Sequence, residues 1–369
     1  MFLPLDEIPI GHEDVGVSES ESRCSMKAAV FLGNEKIEVR EVPVPVPPPG
    51  EVLVKVRACG VCGTDVHLYE GTALGATPPV ALGHEITGTV AGWGQGVNDL
   101  TEEETVCIDP VVGCGICRFC RRGRTNLCEN YRIIGYARWG GFAEYLVAPR
   151  THVHRIAPHV SAAGGILAET LACVLNGYNR LEIEPGSSVL LVGAGTVGLL
   201  WNNLITHSCV AELVQVDVIE ERATLARELG ADRVWCTGHP DGIADFKKEY
   251  KGDFDLVVDC SGTPDGILLG MEHIRAGGTF MVFGVCDKNV TIPVSPFDLF
   301  NKELRIIAAK MPPRTLAQAI RLIEAGVIDS DRIVTSTWSL EDVESCLHRF
   351  VHNKNQDIKM SIDPSLGPG

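Results

Sequence analysis

A glycine-rich turn between a strand and a helix constrains this sequence more than any other feature. Residues 189–192 form an apolar run that opens directly into GAGTVG, and a helical pattern follows. In a G-x-G-x-x-G motif the first glycine makes the turn, the second lets the backbone approach a pyrophosphate, and the third permits close packing of helix on strand. The positive end of the helix then faces the phosphates. The motif predicts a dinucleotide site formed by Gly193, Gly195, Thr196, Val197 and Gly198.

An acidic residue ends the next predicted strand. The stretch ELVQVD finishes at Asp217, 24 residues beyond Gly193. A carboxylate at this position is expected to accept hydrogen bonds from the ribose 2′- and 3′-hydroxyls and to repel a 2′-phosphate, which favours NAD over NADP. The alternative is that Asp217 is an ordinary solvated strand end. Arg222, in the helix that follows, is a further candidate for cofactor binding.

The order of predicted elements indicates an α/β protein with two domains. Strands and helices alternate over residues 175–310, which predicts a doubly wound parallel sheet of six strands. In it, ERATLARELGAD and GILLGMEHIRAGG are predicted helices, and FDLVVDCSG, TFMVFGVC and ELRIIAAK are predicted strands. Residues 26–174 are β-rich and punctuated by glycine, and residues 311–369 are expected to return to that first domain. Residues 1–25 are acidic and serine-rich, so we expect a disordered or loosely attached extension.

Composition and charge exclude several classes of partner. The chain has 369 residues, 45% of them hydrophobic, and a formal net charge of −16, which argues against binding to nucleic acid or anionic membranes. Apolar runs are shorter than the roughly 20 residues of a membrane-spanning helix. The N-terminus lacks the basic and apolar regions of a signal peptide. Fourteen cysteines without such a signal indicate a reducing, cytoplasmic location, where clustered thiols bind metal rather than form disulfides.

Four clustered cysteines predict a metal site with a structural role. The stretch GCGICRFCRRGRTNLCEN has the spacing C-x2-C-x2-C-x7-C. Four thiolates this close can complete a tetrahedral shell with no open position, as in structural zinc sites. An iron–sulfur cluster, which usually places the fourth cysteine differently, and unligated thiols are the alternatives. The predicted ligands are Cys114, Cys117, Cys120 and Cys128.

A second predicted metal site combines different ligand types. Cys62 lies in GVCGTDVHLYEG, and His84 and Glu85 lie in the GHE that follows. A thiolate, an imidazole and a carboxylate with one open position are typical of catalytic zinc. Taken alone, a cysteine and a histidine are more often ordinary core or surface residues. Glu169 lies in an apolar helical pattern from residue 162 to about 180, where a buried carboxylate is costly unless it faces a cation or lies at a helix edge.

In this order, the motifs resemble those of the zinc-dependent medium-chain dehydrogenases/reductases. The resemblance spans residues 26–364 and is carried by GVCGTDVHLYEG, GHE, the four-cysteine loop, GGFAEYLV, LAETLACVLNGY, GAGTVG and Asp217. It implies a Rossmann domain and a GroES-like β-rich catalytic domain that both chain ends build. It also implies two zinc ions per chain, one catalytic and one structural, NAD as cofactor, and a homodimer or homotetramer.

The resemblance also implies roles for the residues of the catalytic zinc site. Cys62 and His84 match the two constant ligands, and Glu85 matches a glutamate that binds the zinc or stands beside it. Glu169 falls where polyol and threonine dehydrogenases carry a glutamate ligand, so the chain is similar to that branch. Glu85, Glu169 and water are all candidates for the last positions of the shell.

Further roles follow from the same resemblance. Thr64 and His67 match the hydroxyl and the histidine of a proton relay, and Asp65 matches the acid that orients the zinc histidine. Lys359 matches a basic residue near the cofactor pyrophosphate. Two departures concern Thr170, where those relatives usually carry proline, and LLWNNLITHSCV, which is bulkier and more polar than the usual helix after the glycine motif.

The implied reaction is NAD-dependent oxidation of a secondary alcohol, or reduction of the corresponding ketone. The resemblance implies a polyol, a sugar-derived alcohol or a hydroxy amino acid as the substrate. Bound zinc is expected to lower the pKa of its hydroxyl. One alternative is an NADPH-preferring ketone or aldehyde reductase of the same family. The other is a catalytically silent binding protein, although such proteins usually lose the metal ligands and here all are present.

Overall fold

The computed structural model describes residues 24–72, 75–352 and 357–368. The predicted extension at residues 1–25 therefore lies almost wholly outside the described part. Among the described residues, no helix is both long and apolar enough to cross a membrane.

The first part of the chain builds antiparallel β-structure. Its strands are β1 (Ser25–Gly33), β2 (Lys36–Pro43), β3 (Glu51–Val61), β4 (Val80–Ala81), β5 (Glu85–Trp93), β6 (Thr105–Ile108), β7 (Val111–Val112), β8 (Arg132–Ile133), β9 (Tyr145–Pro149) and β10 (Val153–Arg155). Its α-helices are α1 (Gly63–Tyr69) and α2 (Ala162–Tyr178), and short 3-10 turns lie at Cys120–Arg122, Thr125–Leu127 and Arg150–His152.

The pairing of β3 with β5 brings two distant motifs together. These strands run antiparallel, and Gly60, near the end of β3, lies opposite Glu85, the first residue of β5. Cys62 follows β3 directly, and His84 precedes β5 directly. The register of one strand pair therefore places GVCG beside GHE.

The middle of the chain forms the second domain. Its elements are β11 (Ser188–Val192), α3 (Thr196–Thr206), β12 (Glu212–Asp217), α4 (Glu220–Glu228), β13 (Arg233–Cys236), α5 (Pro240–Glu249), β14 (Phe254–Asp259), α6 (Pro264–His273), β15 (Ile274–Val282), α7 (Pro296–Asn301) and β16 (Arg305–Ala308). The strand order is β13-β12-β11-β14-β15-β16, and every pairing is parallel. The predicted doubly wound sheet of six strands is confirmed. Its order reverses between β11 and β14, where such sheets bind ligands.

One predicted helix is too long. GILLGMEHIRAGG was assigned to helix throughout, but α6 ends at His273 and β15 begins at Ile274. Ile274 is fully buried and pairs with Phe254 of β14. Burial in the parallel sheet therefore overrides the helical pattern of the sequence at this point.

The last part of the chain returns to the first domain. It contributes α8 (Leu316–Glu324), α9 (Ser330–Ile333), β17 (Val334–Trp338), α10 (Val343–His352) and β18 (Lys359–Ile362). Strand β18 pairs antiparallel with β3, so that Met360 lies opposite Val61. The resulting seven-stranded sheet has the order β10-β6-β5-β3-β18-β17, with β9 also paired to β3. Both chain ends thus build the GroES-like domain.

Helix α2 connects the two domains and is buried along most of its length. Gly165 lets it approach β5 closely, because a Cβ at that position would lie 2.5 Å from the Thr87 hydroxyl oxygen. On its other sides, α2 packs against α8 and α3. One turn beyond Gly165, the helix presents Glu169 and Thr170 toward the start of β5, where Thr170 contacts Glu85.

Candidate metal and cofactor site

Cys62 lies at the beginning of α1, directly after β3. Its backbone N–H donates to the Asp65 carboxylate at 2.9 Å, which fixes the first turn of the helix. Its thiol lies 3.7 Å from the hydroxyl of Thr64. The structure therefore places the predicted zinc ligand beside the predicted first group of the proton relay.

His84 is buried and oriented by the same aspartate. Oδ1 of Asp65 lies 3.3 Å from Nδ1 of His84 and also accepts a hydrogen bond from the Gly83 N–H at 3.3 Å. Asp65 has no exposed surface. A carboxylate at Nδ1 keeps the proton on that nitrogen and leaves Nε2 available for a metal. This is the orienting contact that the resemblance implies for Asp65.

Three predicted ligands lie together. The donor atoms of Cys62, His84 and Glu85 are all within 4.8 Å of one another. Zinc bonds of about 2.0–2.3 Å to sulfur, nitrogen and oxygen can span such a group. The thiolate, imidazole and carboxylate therefore fit a zinc ion with an open coordination position.

Glu85 is also held from a second side. Its Oε1 accepts a hydrogen bond from the Thr170 hydroxyl at 2.7 Å, and its Oε2 forms an ion pair with Nζ of Lys359. Lys359 also donates to the Val61 carbonyl at 3.0 Å. Gly60 makes room for the pair, since a Cβ there would lie 2.9 Å from Cε of Lys359 and overlap the Glu85 carboxylate. The contact of Lys359 with a pyrophosphate stays a prediction.

Glu169 faces the site but lies outside the group of three. Its Oε1 accepts a hydrogen bond from the Cys173 thiol at 3.4 Å. Burial, opposed by His84 and helped by the Glu85 carboxylate, raises the pKa of its carboxyl to about 7. Its role as a zinc ligand stays a prediction. Cys173, one helical turn later, was not identified from the sequence.

The second group of the predicted relay lies at the surface. His67 is exposed at the end of α1, and its Nδ1 lies 3.2 Å from the Thr72 hydroxyl. Between Thr64 and His67, both of which the structure describes, there is no direct hydrogen bond. A relay through both residues therefore requires a bridging group.

Tyr136 is a neighbour of the metal group that the sequence analysis missed. Its ring lies edge-on to the His84 imidazole, with 5.3 Å between ring centroids and 82° between planes. Burial raises the pKa of its phenol well above the usual range, and the nearby Thr64 hydroxyl opposes this shift slightly. Gly135, with φ of 95°, packs its loop against the Gly83 carbonyl. An aromatic residue in a glycine-rich loop carries no signal that separates such a role from ordinary packing.

The glycine turn has the geometry that the motif predicts. Gly193 has φ of 105°, a conformation that favours glycine. At Gly198 a Cβ would overlap the Gly193 carbonyl, so this glycine permits the close contact of α3 with the turn. Gly195 precedes α3, whose first residue, Thr196, donates from its hydroxyl to the Ile358 carbonyl at 2.8 Å.

Asp217 lies at the carboxyl end of β12, close to the turn. Its Oδ2 accepts from the Ala194 N–H at 2.5 Å, and its Oδ1 accepts from the Ile219 N–H at 2.8 Å. Each oxygen keeps a second lone pair for a ribose hydroxyl. Arg222 donates to the Asp357 carbonyl at 3.0 Å. The ribose and cofactor contacts of both residues stay predictions.

One cavity of about 270 Å³ joins the metal group to the glycine turn. The residues that line it include Cys62, Glu85, Thr170, Gly195, Thr196, Val197, Arg222, Arg349 and Lys359. Arg349, whose guanidinium pairs with the Asp357 carboxylate at 2.6 Å, was not identified from the sequence because it lies in an ordinary amphipathic helix pattern. Metal-site and nucleotide-site residues thus face the same space.

The four clustered cysteines form a separate site. The sulfur atoms of Cys114, Cys117, Cys120 and Cys128 all lie within 4.8 Å of one another. The backbone N–H groups of Cys120 and then Glu129 lower the pKa of the Cys117 thiol to about 6. Burial raises the pKa of the Cys120 thiol, so the pKa values differ within the tetrad. The fit to a structural zinc ion therefore rests on four sulfur ligands at this spacing.

Two known protein families match this chain, and between them they include residues of both domains. Residues 48–158 match the family described as the alcohol dehydrogenase GroES-like domain, and residues 197–325 match the family described as zinc-binding dehydrogenase. The D-altritol 5-dehydrogenase of Agrobacterium fabrum is 32% identical over 325 residues, which cover 86% of this chain and 94% of that protein.

Solved structures show the same fold with cofactor bound. A zinc-binding dehydrogenase of Sinorhizobium meliloti 1021, bound to NADP, has a TM-score of 0.85 at 32% identity and covers 92% of this chain and 100% of its own. An alcohol dehydrogenase of Escherichia coli CFT073, complexed with NADH, has a TM-score of 0.84 at 26% identity and covers 92% and 99%. The two relatives thus contain different forms of the dinucleotide.

Proposed function

The chain belongs to the zinc-dependent medium-chain dehydrogenase/reductase family, and on this premise we propose that it is an NAD-dependent alcohol or polyol dehydrogenase. It is an oxidoreductase that acts on secondary alcohols. The finer proposal is that its substrate is a polyol, a sugar-derived alcohol or a hydroxy amino acid. The observation that carries it is the shared cavity, in which Cys62 and Glu85 face the glycine turn.

The residues of the chain have separable tasks in this reaction. Cys62 and His84 would hold the zinc with a carboxylate, and the ion, when bound, lowers the pKa of a substrate hydroxyl. Asp65 keeps His84 in the metal-binding tautomer. The Thr64 hydroxyl, beside the thiol of Cys62, takes the substrate proton and passes it toward His67 at the surface. The glycine turn would hold the dinucleotide, which supplies the hydride acceptor.

The carboxylate of Asp217 supports NAD as the cofactor. It is only 8% exposed and lies at the strand end where a 2′-phosphate would otherwise bind, so it would repel that group. NADP is the second candidate, because the Sinorhizobium relative was solved with it and the Arg222 guanidinium lines the cavity. The ratio of kcat/KM for the two cofactors distinguishes them: a preference for NADP would contradict the argument from Asp217.

The activity is tested by a screen for NAD reduction over polyols, diols, threonine and amino-sugar alcohols. We expect turnover with zinc-loaded protein and its loss in Cys62→Ser and His84→Ala. Wild-type protein that binds NAD and contains zinc at both sites but oxidises none of these substrates would favour a binding role instead. Turnover by zinc-free Cys62→Ser at the wild-type rate would rule out the metal role.

An exposed sheet edge supports a homo-oligomer. β16 pairs with β15, and no described strand covers its other edge. Phe297 and Phe300 of the neighbouring α7 are 70% and 83% exposed, and Ile306 of β16 is 42% exposed. Unpaired edges and exposed apolar groups are typical of interfaces. We expect light scattering to give at least a dimer for the wild-type protein and a monomer for Phe300→Glu.

The cysteines support a reducing, cytoplasmic location. All fourteen lie in the described part of the chain, and none of them is paired in a disulfide there. Fractionation of cells that produce the protein would check this location.

A further inference from the structure

The four-cysteine loop contacts a segment through which the chain passes from one domain to the other. The chain makes this passage twice, at residues 179–187 after α2 and at residues 309–315 after β16. We call residues 309–315 the linker. Asn126 lies in the 3-10 turn Thr125–Leu127, two residues before the last cysteine of the tetrad. Its Nδ2 donates to the Lys310 carbonyl of the linker at 2.7 Å, so a hydrogen bond across 184 residues connects the cysteine loop with a domain crossing.

The linker is also tied to α2. Nδ2 of Asn176 donates to the carbonyls of Lys310 and Met311 at 3.2 Å and 2.9 Å. The Thr315 hydroxyl donates to another carbonyl of the same helix at 2.6 Å. Helix α2 also carries Thr170, which lines the cavity between the metal group and the glycine turn. The cysteine loop, the linker and α2 therefore form one connected unit at the domain crossing.

The backbone of the linker has a conformation that needs support. Met311 and Arg314 have φ of 49° and 61°, in the left-handed region that residues with a side chain seldom adopt. Such residues persist where the surrounding structure holds them. The amides of Asn126 and Asn176 both contribute to this hold, because the Lys310 carbonyl accepts from each of them. Removing one amide should therefore let the linker relax.

The stability of the cysteine loop does not explain why residue 126 is polar. Asn126 is 1% exposed, and its Oδ1 has no hydrogen-bond partner among the described residues. A buried amide oxygen without a partner costs free energy, so an apolar residue of similar size would serve stability as well. After such a change the Lys310 carbonyl would keep Asn176 as a donor. The benefit of the asparagine therefore lies in its contact with the linker.

We infer that Asn126 is a positioning residue through which the four-cysteine site fixes the linker, so that a metal at this site strengthens dinucleotide binding. The linker joins the second domain to the first, and its position helps to set how the glycine turn of one domain faces the metal group of the other. Four metal–sulfur bonds would fix the loop that carries Asn126. The Asn126 amide would pass that order to the linker. For the dinucleotide as the ligand, the inference rests on the proposed function.

The first test compares Asn126→Leu with the wild type, both loaded with zinc. Hydrogen–deuterium exchange of peptides that span residues 309–316 reports the order of the linker, and a fluorescence titration gives the Kd for NADH. We expect faster exchange in these peptides and a Kd raised by about fivefold, which corresponds to one hydrogen bond. The thermal midpoint should stay close to that of the wild type, because the amide that is replaced has an unpaired oxygen.

Two further variants separate the linker contact from a general effect on the loop. Asn130→Leu is the matched control, because Asn130 is exposed in the same loop, and it should have the wild-type Kd and exchange. Asn126→Asp puts an acceptor of nearly the same shape against the Lys310 carbonyl, so it should raise the Kd at least as much as Asn126→Leu. It also provides a second removal of the donor should the leucine variant fail to fold.

The role of the metal is tested by Cys117→Ser, which should lose the metal of the four-cysteine site. We expect this variant to raise the Kd for NADH about as much as Asn126→Leu does, and the double variant to raise it no further, since both changes release the same contact. Chelation of zinc from the wild type and from Asn126→Leu gives the same comparison should the serine variant fail to fold. The rise in Kd should then be larger for the wild type, because both proteins lose the catalytic metal equally.

The inference is wrong if Asn126→Leu has the Kd and the linker exchange of Asn130→Leu. It is also wrong if Cys117→Ser raises the Kd by the same factor in the wild-type and Asn126→Leu backgrounds, because the cysteine site would then act by another route. Failure of the proposed function is a separate result. The wild-type protein would then bind no NADH, although linker exchange would still distinguish Asn126→Leu from Asn130→Leu.

Discussion

The carboxylate of Asp65 lies 3.3 Å from Nδ1 of His84, and this contact determines which nitrogen of the imidazole faces the metal group. The same side chain accepts the Cys62 N–H at 2.9 Å, so it aligns two ligands that come from different segments. Both segments meet because β3 and β5 pair with Gly60 opposite Glu85. The buried Asp65 carboxylate thus contacts one metal ligand on each of the two paired segments.

Replacing Asp65 by asparagine should weaken the catalytic zinc site. The amide has about the same volume but no charge to favour the tautomer with Nδ1 protonated, and loss of such a partner lowers metal affinity or activity by about 10–100-fold. Metal content after dialysis and kcat/KM measure the effect. Asp265→Asn, an exposed change on α6, is the control and should match the wild type. Unchanged zinc affinity in Asp65→Asn would contradict the orienting role.

Removing the Tyr136 hydroxyl should impair turnover without removing metal. Tyr136→Phe removes the phenolic hydroxyl that lies near Thr64 but keeps the ring against His84. A polar contact of this kind is worth at most the value of one hydrogen bond, about 1 kcal/mol, so kcat/KM should fall by up to roughly fivefold. Tyr131→Phe, at a tyrosine that is 38% exposed, is the control. Equal kcat/KM in both variants would show that the Tyr136 hydroxyl does not act on the reaction.

The metal ligands could be predicted because they lie in short motifs whose residue types bind zinc. Cys62, His84 and Glu85 are adjacent to strand ends, and strand pairing brings them together. The hydrogen bond from Thr170 to Glu85 could not be predicted in the same way. It depends on the rotation of α2 and on one side-chain rotamer, and neither leaves a periodic pattern in the sequence.

The fold could also be predicted in part: the order of the elements was right, but one element boundary was not. Regular alternation of strands and helices indicated the six-stranded sheet, whereas the boundary between α6 and β15 was wrong because Ile274 is buried against Phe254 in the sheet. The bulky helix after the glycine motif also has a physical reason. Trp201 fills the space beside Phe283, with 5.6 Å between ring centroids. Such packing depends on partners that are far away in sequence.

The metal-free protein should lose stability as the pH rises toward neutrality because of Glu169. Burial raises the pKa of this carboxyl from 4.5 to about 7, so the folded state disfavours the ionised form. The free energy of unfolding therefore has its full value below the ordinary carboxyl pKa, where Glu169 is protonated in both states. It falls as the pH rises through about 7. In the presence of a chelator, thermal midpoints of wild type and Glu169→Gln between about pH 5 and about pH 8 measure it. The wild type should fall relative to the variant, and parallel profiles would contradict the prediction.

A buried amide pair should control the glycine turn. Nδ2 of Asn202 donates to Oε1 of Gln215 at 2.7 Å, and Nε2 of Gln215 donates to the Gly193 carbonyl at 2.9 Å. Both amides are fully buried, so Asn202→Leu leaves the Gln215 carbonyl without this donor at a cost of about 1–3 kcal/mol. We expect a lower thermal midpoint together with a raised Kd for NADH, because Gln215 then no longer fixes the Gly193 carbonyl of the glycine turn.

The control for this pair separates a local effect from general destabilisation. Phe246→Leu also alters a fully buried side chain of the second domain, but it lies in α5. At a similar loss of thermal stability it should leave the Kd for NADH unchanged. If Asn202→Leu and Phe246→Leu weaken NADH binding equally, the amide pair only supports the fold. A selective effect of Asn202→Leu would explain why the helix after the motif carries an asparagine among apolar residues.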